Sequence, residues 1–402
     1  MTDEAVDIAE QFEKHLNSPN QTWLLGAGIS FNANIPLMYP LTERVLEKAK
    51  AHFAADGDAT AVLDFIQGDC ADDAHIETYL THLSDIISLA ERSQNKSFTL
   101  DGTAVGKGKL VEVHLRLLEL ISEIVRWGYR AASGDEEMRE GKPGESIVTS
   151  GEHEEFVKAI FGSNRAGLED LRGAVELFTT NYDTLIEDAL ALHRIPHADG
   201  FTGGGVAFWN GYSDLDARRV KAVVTKLHGS IDWFRSKVSP SHLLRRRFGD
   251  TYPKDEGGAV MIYPQATKYL NAQVDPFSSL FNRFRNRLAN GKDHSLMVCG
   301  YSFGDEHINA DIEIAMSASG SQLNLIAFSN EMQEGALPET LSAWLSSSWG
   351  ERIYVASSKG ITRGTSGPFW SSEGGSRDWW TFSGATKLIA NGLPSDVQEL
   401  LP

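Results

Sequence analysis

The chain has 402 residues, 41% of them hydrophobic, and a formal net charge of −18. This length and composition predict a globular protein with one large core or two cores. Three sequence features argue against other classes: there is no run of about 18 apolar residues that could cross a membrane, no basic start of a secretory signal, and no large basic block for a nucleic-acid groove. We therefore expect a cytoplasmic protein that binds small molecules or proteins, without membrane or direct nucleic-acid contact.

The first predicted unit is a strand followed by a glycine turn and a helix. Apolar residues from Trp23 to Leu25 precede Gly26-Ala27-Gly28, and Leu41 to Phe53 has apolar residues at helical spacing. Strand, glycine turn and helix in this order are typical of the start of a phosphate-binding half.

Two long amphipathic helices are predicted next, at Ile76 to Leu89 and Leu110 to Trp127. Polar tracts that contain glycine, at Asp101 to Gly108 and Ser133 to Ser150, predict loops. We interpret residues 50–170 as a helical insertion.

Strands alternate with helices again from Val175 onward. This alternation predicts an α/β fold, with a Rossmann-like doubly wound parallel sheet and a helical insertion domain. The predicted strands are Val175–Thr179, Val220–Leu227, Ala259–Tyr263, Ser295–Tyr301 and Leu323–Phe328, and the predicted helices are Tyr182–Leu192, Phe277–Leu288, Asp305–Met316 and Pro338–Ser346.

These patterns divide the chain into four parts. Residues 1–49 begin the α/β core, 50–170 form the insertion, 171–358 continue the core, and 359–402 form a C-terminal extension. The extension is rich in Gly, Ser and Trp, which fits a packed surface segment or an assembly contact.

Four segments that are far apart in sequence share one property: each is the end of an apolar strand followed by a polar turn. In an open parallel sheet the carboxyl ends of the strands line one crevice, so these turns are expected to converge on one ligand. The segments are Trp23–Ser30, Leu177–Asp183, Lys226–Ser230 and Met297–Asp305.

Each segment also has a purely structural interpretation. Gly26 and Gly28 allow a pyrophosphate to bind at the start of a helix. They also fit a tight turn without a ligand, because Phe31 stands where the dinucleotide fingerprint has its third glycine. Asn181 and Asp183 can bond their own backbone in Asx turns.

The remaining polar residues are open to the same two interpretations. His228 is either a satisfied core histidine or a proton acceptor that faces the crevice. Asp305 fits the N-cap of a helix, with Gly300-Tyr301-Ser302 as an ordinary turn. Ser30 and Thr180 can bind a ligand or satisfy a turn. The joint occurrence of all four segments favours a site.

The order of these motifs resembles the sirtuin-like NAD-binding fold, and most closely its NAD-hydrolysing branch in bacterial anti-phage defence. The resemblance runs from about Trp23 to Asn330 and rests on the order of the motifs. They are Gly26-Ala27-Gly28-Ile29-Ser30, Ile35-Pro36, Thr180-Asn181-Tyr182-Asp183, Leu227-His228-Gly229-Ser230 and Gly300 to Asn309.

The resemblance implies an NAD-binding core with NAD as substrate and no metal. It implies that Asn181 and Asp183 hold the nicotinamide-side ribose and its attacking water, and that His228 is the catalytic histidine. Positions that would contact the pyrophosphate, the adenosine half and other parts of NAD are Gly26, Ala27, Gly28, Ser30, Thr180, Gly300, Ser302 and Asn330.

Departures from the protein-deacetylating sirtuins put acyl-lysine chemistry in doubt. Those enzymes carry two cysteine pairs in a zinc module, whereas this chain has only Cys70 and Cys299, the latter in an apolar setting that predicts a buried thiol in a reducing compartment. Leu37-Met38-Tyr39 stands where they have an aromatic-arginine pair, and Thr180 where they have a glutamine.

The expected activity is therefore that of an NAD+ glycohydrolase that cleaves the nicotinamide–ribose bond. Fixing the ribose, stabilising positive charge and activating water require an acid, an amide and a base, all of which the motifs supply. Two alternatives remain open: a non-catalytic subunit that binds NAD or ADP-ribose as a sensor or scaffold, and an NAD-dependent protein deacylase.

The resemblance also concerns partners. Relatives of this size pair with a hexameric HerA-type ATPase or with an Argonaute, and we favour a homo-oligomer that associates with the ATPase. The amphipathic insertion and the tryptophan-containing tail are the candidate contacts.

Overall fold

A computed structural model describes residues 3–134, 136–162, 173–213, 215, 219–235, 243–246, 259–261, 276–289, 294–331, 336–370 and 376–398. Residues 262–263, which end the predicted strand Ala259–Tyr263, lie outside the described residues.

The helices of the described part include all those predicted, with ends shifted by up to three residues. They are α1 (Asp3–Leu16), α2 (Met38–His52), α3 (Gly57–Asp69), α4 (Ile76–Arg92), α5 (Lys107–Trp127), α6 (Gly151–Phe161), α7 (Leu185–Leu192), α8 (Phe277–Ala289), α9 (Glu306–Ser317), α10 (Glu339–Leu345), α11 (Phe382–Asn391) and α12 (Ser395–Gln398), with short 3-10 turns at Ala27–Ser30 and Gly350–Arg352.

The strands of the described part are more numerous than the sequence pattern predicts. They are β1 (Gln21–Leu25), β2 (Ser97–Leu100), β3 (Thr103–Gly106), β4 (Tyr129–Arg130), β5 (Arg139–Glu140), β6 (Val175–Thr179), β7 (His197–Ala198), β8 (Phe201–Gly203), β9 (Val206–Trp209), β10 (Ala222–Lys226), β11 (Gly229–Arg235), β12 (Leu243–Arg246), β13 (Ala259–Met261), β14 (Ser295–Cys299), β15 (Asn324–Phe328), β16 (Ile353–Ser357), β17 (Gly360–Arg363) and β18 (Ser366–Phe369).

The main sheet has nine strands in the order β18-β17-β16-β15-β14-β1-β6-β10-β7. The strands from β16 to β7 run parallel, and β17 and β18 are antiparallel at one edge. Strand β1 lies inside the sheet, and the chain continues to β6 on one side and later to β14 on the other. The carboxyl end of β1 is thus a topological switch point, where open α/β sheets bind their ligands.

Both faces of this sheet are covered by helices. All five residues of β1 are buried, as expected for a parallel strand inside a doubly wound fold. Trp23 and Leu25 pack in one cluster with α1, α6, α7 and α11, while Leu24 packs in a second cluster with α8, α9 and α10, since successive side chains of a strand point to opposite faces. The predicted α/β fold with a Rossmann-like sheet is confirmed.

The helices between β1 and β6 form two groups. Helices α2, α3, α4 and α5 share a separate hydrophobic cluster, whereas α6 packs on the main sheet, where the ring of Phe156 meets Trp23 edge-on at 5.0 Å. The C-terminal segment also joins the main sheet, because Phe382 of α11 lies 5.0 Å from Phe156. The four-part division made from the sequence stays a prediction.

A second, five-stranded sheet has the order β13-β11-β12-β9-β8 with antiparallel pairs. The sequence pattern placed Ala259–Tyr263 in the alternation of the main sheet, and this was wrong: Ala259–Met261 pairs with β11. A short apolar run has the same pattern in either sheet, so periodicity could not assign it.

Two further expectations concern burial. Cys299 is buried in β14, and burial raises the pKa of its thiol to about 12, which confirms the predicted buried cysteine. Among the described residues, no helix combines the length and the apolar character needed to cross a membrane.

Glycines hold the loops after β1 and β14 in direct backbone contact. The Gly26 N–H donates to the Cys299 carbonyl at 3.0 Å, and the Gly28 N–H donates to the Gly300 carbonyl at 2.9 Å. A Cβ on Gly26 would lie 2.5 Å from the Gly300 oxygen, and one on Gly28 would lie 2.8 Å from the Gly300 Cα. Side chains are excluded from this contact on both loops.

Gly300 offers a direct test of this contact. Its φ of +66° disfavours any side chain, and an added Cβ would also lie 2.5 Å from the Ile29 nitrogen. Gly320 has a similar φ of +75°, but nothing lies within 4 Å of its added Cβ. We expect Gly300→Ala to lower the free energy of unfolding by about 1–3 kcal/mol more than Gly320→Ala, measured in urea, because only the first overpacks. Equal losses would show that the loops are not in contact.

Candidate functional site

Five strands of the main sheet end at the same edge, and polar side chains follow each of them. Backbone bonds hold the neighbouring ends together: Thr180 N–H donates to the Leu25 carbonyl at 3.1 Å, and Leu227 N–H to the Thr179 carbonyl at 2.8 Å. The predicted site residues that follow β1, β6, β10, β14 and β15 therefore share this edge, which we call the carboxyl edge.

Ser30 is the centre of one hydrogen-bonded cluster at the carboxyl edge. Its hydroxyl donates to Asp183 Oδ2 at 2.8 Å and accepts from Asn181 Nδ2 at 3.1 Å. All three side chains are buried. The glycine turn after β1 thus delivers a hydroxyl that fixes the acid and the amide of the next strand end.

His153 is the fourth member of this cluster. It comes from α6, is fully buried, and places Nε2 3.4 Å from the Ser30 hydroxyl. Burial lowers the pKa of His153, while Asp183 and Glu187 act in the opposite direction. The imidazole ring packs 5.1 Å from that of Phe382.

Asp183 is held at both carboxylate oxygens. Oδ2 accepts from Ser30, and Oδ1 accepts the Leu185 N–H at 3.0 Å, at the start of α7. Below it, the buried Lys226 ammonium donates to the Asp183 backbone carbonyl and lies 3.4 Å from Glu187 Oε1. A buried ion pair thus supports the loop that carries the acid.

Two of the predicted NAD-contacting side chains leave buried acceptors without a partner among the described residues. They are Oδ1 of Asn181 and Oδ1 of Asn330. Buried polar atoms are nearly always hydrogen-bonded in proteins. The expected partner of each of these two oxygens is therefore a hydrogen-bond donor from a ligand or a water molecule. Asn181 follows β6 and Asn330 follows β15, and β14 and β1 lie between these two strands. An extended ligand that lies along the carboxyl edge spans this separation.

His228 belongs to a second group at the carboxyl edge. Its Nε2 lies 2.9 Å from Oδ2 of Asp305, and both side chains are only 6% exposed. Asp305 Oδ1 accepts the N–H groups of His307 and Ile308, so the predicted N-cap of α9 is confirmed.

The predicted site residues lie in different surroundings at the carboxyl edge. Ser30, Asn181 and Asp183 are joined by hydrogen bonds, and His228 lies at the next strand end, paired with Asp305. Gly26, Gly28 and Gly300 pack against each other. Ala27 and Ser302 are exposed beside that contact, while Thr180 and Asn330 are half-buried at the ends of β6 and β15. The roles assigned to these residues stay predictions.

The sequence pattern did not identify His153, Lys226 or Glu187 as members of the site, and it gave Asp305 only as a helix cap. His153 lies in a helix with no strand-end pattern, and Lys226 and Glu187 read as ordinary polar positions. A signal was available for Lys226 alone, because a lysine at the end of the apolar run Ala222–Lys226 must find a partner when that run is buried.

In the part of the chain that the structure describes, no group of three or more His, Cys, Asp or Glu side chains is arranged to hold a metal ion.

Residues 175–349 match the model of the SIR2-like domain family. The matched range contains Asn181, Asp183, His228 and Asn330, and the glycine turn after β1 lies before it. The match supports a sirtuin-like domain within these residues, and such a domain is consistent with an NAD-acting enzyme. No curated protein matches the chain.

The buried ion pair below Asp183 makes a testable contribution to stability. Lys226→Met removes the cation beside Glu187, and breaking a buried pair from one side costs about 3–5 kcal/mol. We expect this loss in urea unfolding, with partial recovery when Glu187→Gln is added.

The matched control is Lys387→Met. Lys387 pairs with Asp378 at 2.7 Å, but both side chains are more than half exposed, so the expected loss is at most about 1 kcal/mol. Similar losses for the two lysines would contradict a buried pair at Lys226.

Proposed function

We propose that the protein is an NAD+ glycohydrolase that cleaves the bond between nicotinamide and ribose, and that it depletes NAD in anti-phage defence. The observation that carries the proposal is the cluster of Ser30, Asn181 and Asp183, in which a fixed carboxylate lies beside an amide whose Oδ1 lacks a partner among the described residues. The SIR2-like match over residues 175–349 supports NAD as the ligand.

The proposed reaction uses each of these groups. As the C1′–N bond breaks, its electron pair leaves with neutral nicotinamide and positive charge builds on the ribose. Asp183 stabilises that charge, because hydrogen bonds from Ser30 and Leu185 fix its carboxylate in place before the reaction. The oxygen of a water molecule then bonds to C1′ and gives ADP-ribose.

In the proposed reaction, Asn181 orients the attacking water and His228 takes up its proton. The Asn181 amide is held through Nδ2 by Ser30, which leaves Oδ1 to accept a hydrogen bond from the water or from a ribose hydroxyl. His228 accepts the proton that the attacking water loses. NAD is the substrate, and no step calls for a metal.

We propose that the enzyme acts as a homo-oligomer that associates with a HerA-type ATPase. The support for this is the sequence resemblance alone, and the native mass of the chain with and without the ATPase tests it. A large complex formed only with both proteins is the expected result, and separate particles at micromolar concentration would contradict it.

The test of the activity is the release of nicotinamide from NAD by the purified chain, and then by the chain with its ATPase. We expect Asn181→Ala and His228→Ala to lower the rate at least about 100-fold, because each removes a group that acts on the water. Circular dichroism establishes that the variants are folded.

The control variants are Asn324→Ala and His197→Ala. Asn324 lies at the amino end of β15 and His197 starts the edge strand β7, and the side chain of each bonds a nearby backbone carbonyl. They are expected to retain parental rates. Parental rates in Asn181→Ala and His228→Ala would contradict the assigned roles, and tight NAD binding without nicotinamide release would favour the sensor.

A further inference from the structure

The hydrogen bond between His228 and Asp305 joins the ends of two strands that are not neighbours. His228 follows β10 and Asp305 follows β14, and β1 and β6 lie between them in the sheet. Three strand spacings of about 4.8 Å each amount to about 14 Å. The loops after β10 and β14 therefore meet across the ends of β1 and β6, on the same edge that holds Ser30 and Asn181.

Several contacts hold the loop after β14 against the start of α9. Tyr301 Oη donates to the Asp305 carbonyl at 3.2 Å and lies 3.0 Å from Asn309 Oδ1, and Asn309 Nδ2 donates to the Phe303 carbonyl at 2.7 Å. Phe303 has a φ of +60°, a conformation that a bulky residue adopts only when its surroundings impose it.

The two oxygens of Asp305 have separate partners. Oδ1 caps α9 by accepting from His307 and Ile308, and Oδ2 faces His228 Nε2. The positive end of the α9 dipole favours the carboxylate anion at this position. An anion can only accept hydrogen bonds, so Nε2 must carry the proton and, in the neutral ring, Nδ1 must carry the lone pair.

We propose that Asp305 is the positioning residue of His228: it holds the imidazole across the carboxyl edge in the tautomer protonated at Nε2, so that Nδ1 is the nitrogen that accepts the proton from water. This inference deepens the proposed function and rests on it for the identity of the reaction. The orientation and tautomer of the ring follow from the Asp305 contact itself.

A purely structural role for Asp305, as helix cap only, is the competing explanation. Asp305→Ser separates the two roles, because serine is a good N-cap but its short hydroxyl does not reach His228. The matched control is Asp56→Ser: Asp56 caps α3 by accepting the Ala59 N–H at 3.0 Å, and its other oxygen pairs with Lys109 at 2.7 Å.

The first experiment measures the tautomer by ¹⁵N NMR of the full chain labelled at histidine, with His228→Asn to identify the signals. We expect the parent and Asp56→Ser to show His228 protonated at Nε2, and Asp305→Ser to show a mixture of tautomers. A parent ring protonated at Nδ1, or an unchanged signal in Asp305→Ser, would overturn the inference. This readout does not depend on any activity.

The second experiment measures kcat and KM for nicotinamide release. We expect Asp305→Ser to lower kcat by about 10²- to 10⁴-fold with KM changed less than about threefold, the pattern for a histidine whose orienting acid is lost. Asp305→Asn, which can still accept from Nε2, should recover part of the loss, and Asp56→Ser should keep parental kcat. Parental kcat in Asp305→Ser would reduce Asp305 to a helix cap.

The two experiments fail in different ways. If the parent releases no nicotinamide but its His228 is protonated at Nε2 in an Asp305-dependent manner, the proposed reaction is wrong and the positioning by Asp305 stands. If the parent is active and the tautomer is independent of Asp305, the reaction stands and the positioning is wrong.

Discussion

The backbone contact between the loops after β1 and β14 is the constraint on which the site depends. Gly26 and Gly28 approach Gly300 so closely that a Cβ on any of the three would collide with backbone. This contact turns the chain after β1 so that Ser30 faces Asp183, and it starts the loop that carries Asp305 to His228. Gly26, Gly28 and Gly300 thus serve loop-to-loop packing, and the phosphate contact expected from the sequence stays a prediction.

At the carboxyl edge, some polar side chains are held by hydrogen bonds within the protein, and others have an acceptor atom without a partner among the described residues. Ser30, Leu185 and the Lys226 ammonium hold Asp183 and its loop, and Asp305 holds His228. The Oδ1 atoms of Asn181 and Asn330 have no partner in the described part of the chain. Rigid charged groups beside unsatisfied acceptors are the arrangement expected of a preorganised site, in which the protein is ordered before its ligand arrives.

Sequence periodicity predicted the main elements well because they are long and regularly amphipathic. Helices α4 and α5 begin within three residues of the predicted positions, and β6 has the predicted ends. The N-cap at Asp305 was also predictable, because capping depends on neighbours in sequence. The second sheet was not, since its short strands carry no period that separates them from the main sheet.

The pairing of site residues lay beyond sequence reasoning for a physical reason. Ser30 and Asp183 are 153 positions apart, and His228 and Asp305 are 77 positions apart. Strand order brings these pairs together, and one sequence does not encode strand order in a local pattern. His153 shows the same limit, because a histidine on a helix gives no sign that the helix packs behind a serine of a distant turn.

The most direct test of the central claim is a crystal structure of Asn181→Ala soaked with NAD. We expect the nicotinamide ribose to lie at the carboxyl edge between Asp183 and His228. NAD bound elsewhere on the molecule, or with its adenosine half in this position, would contradict the claim.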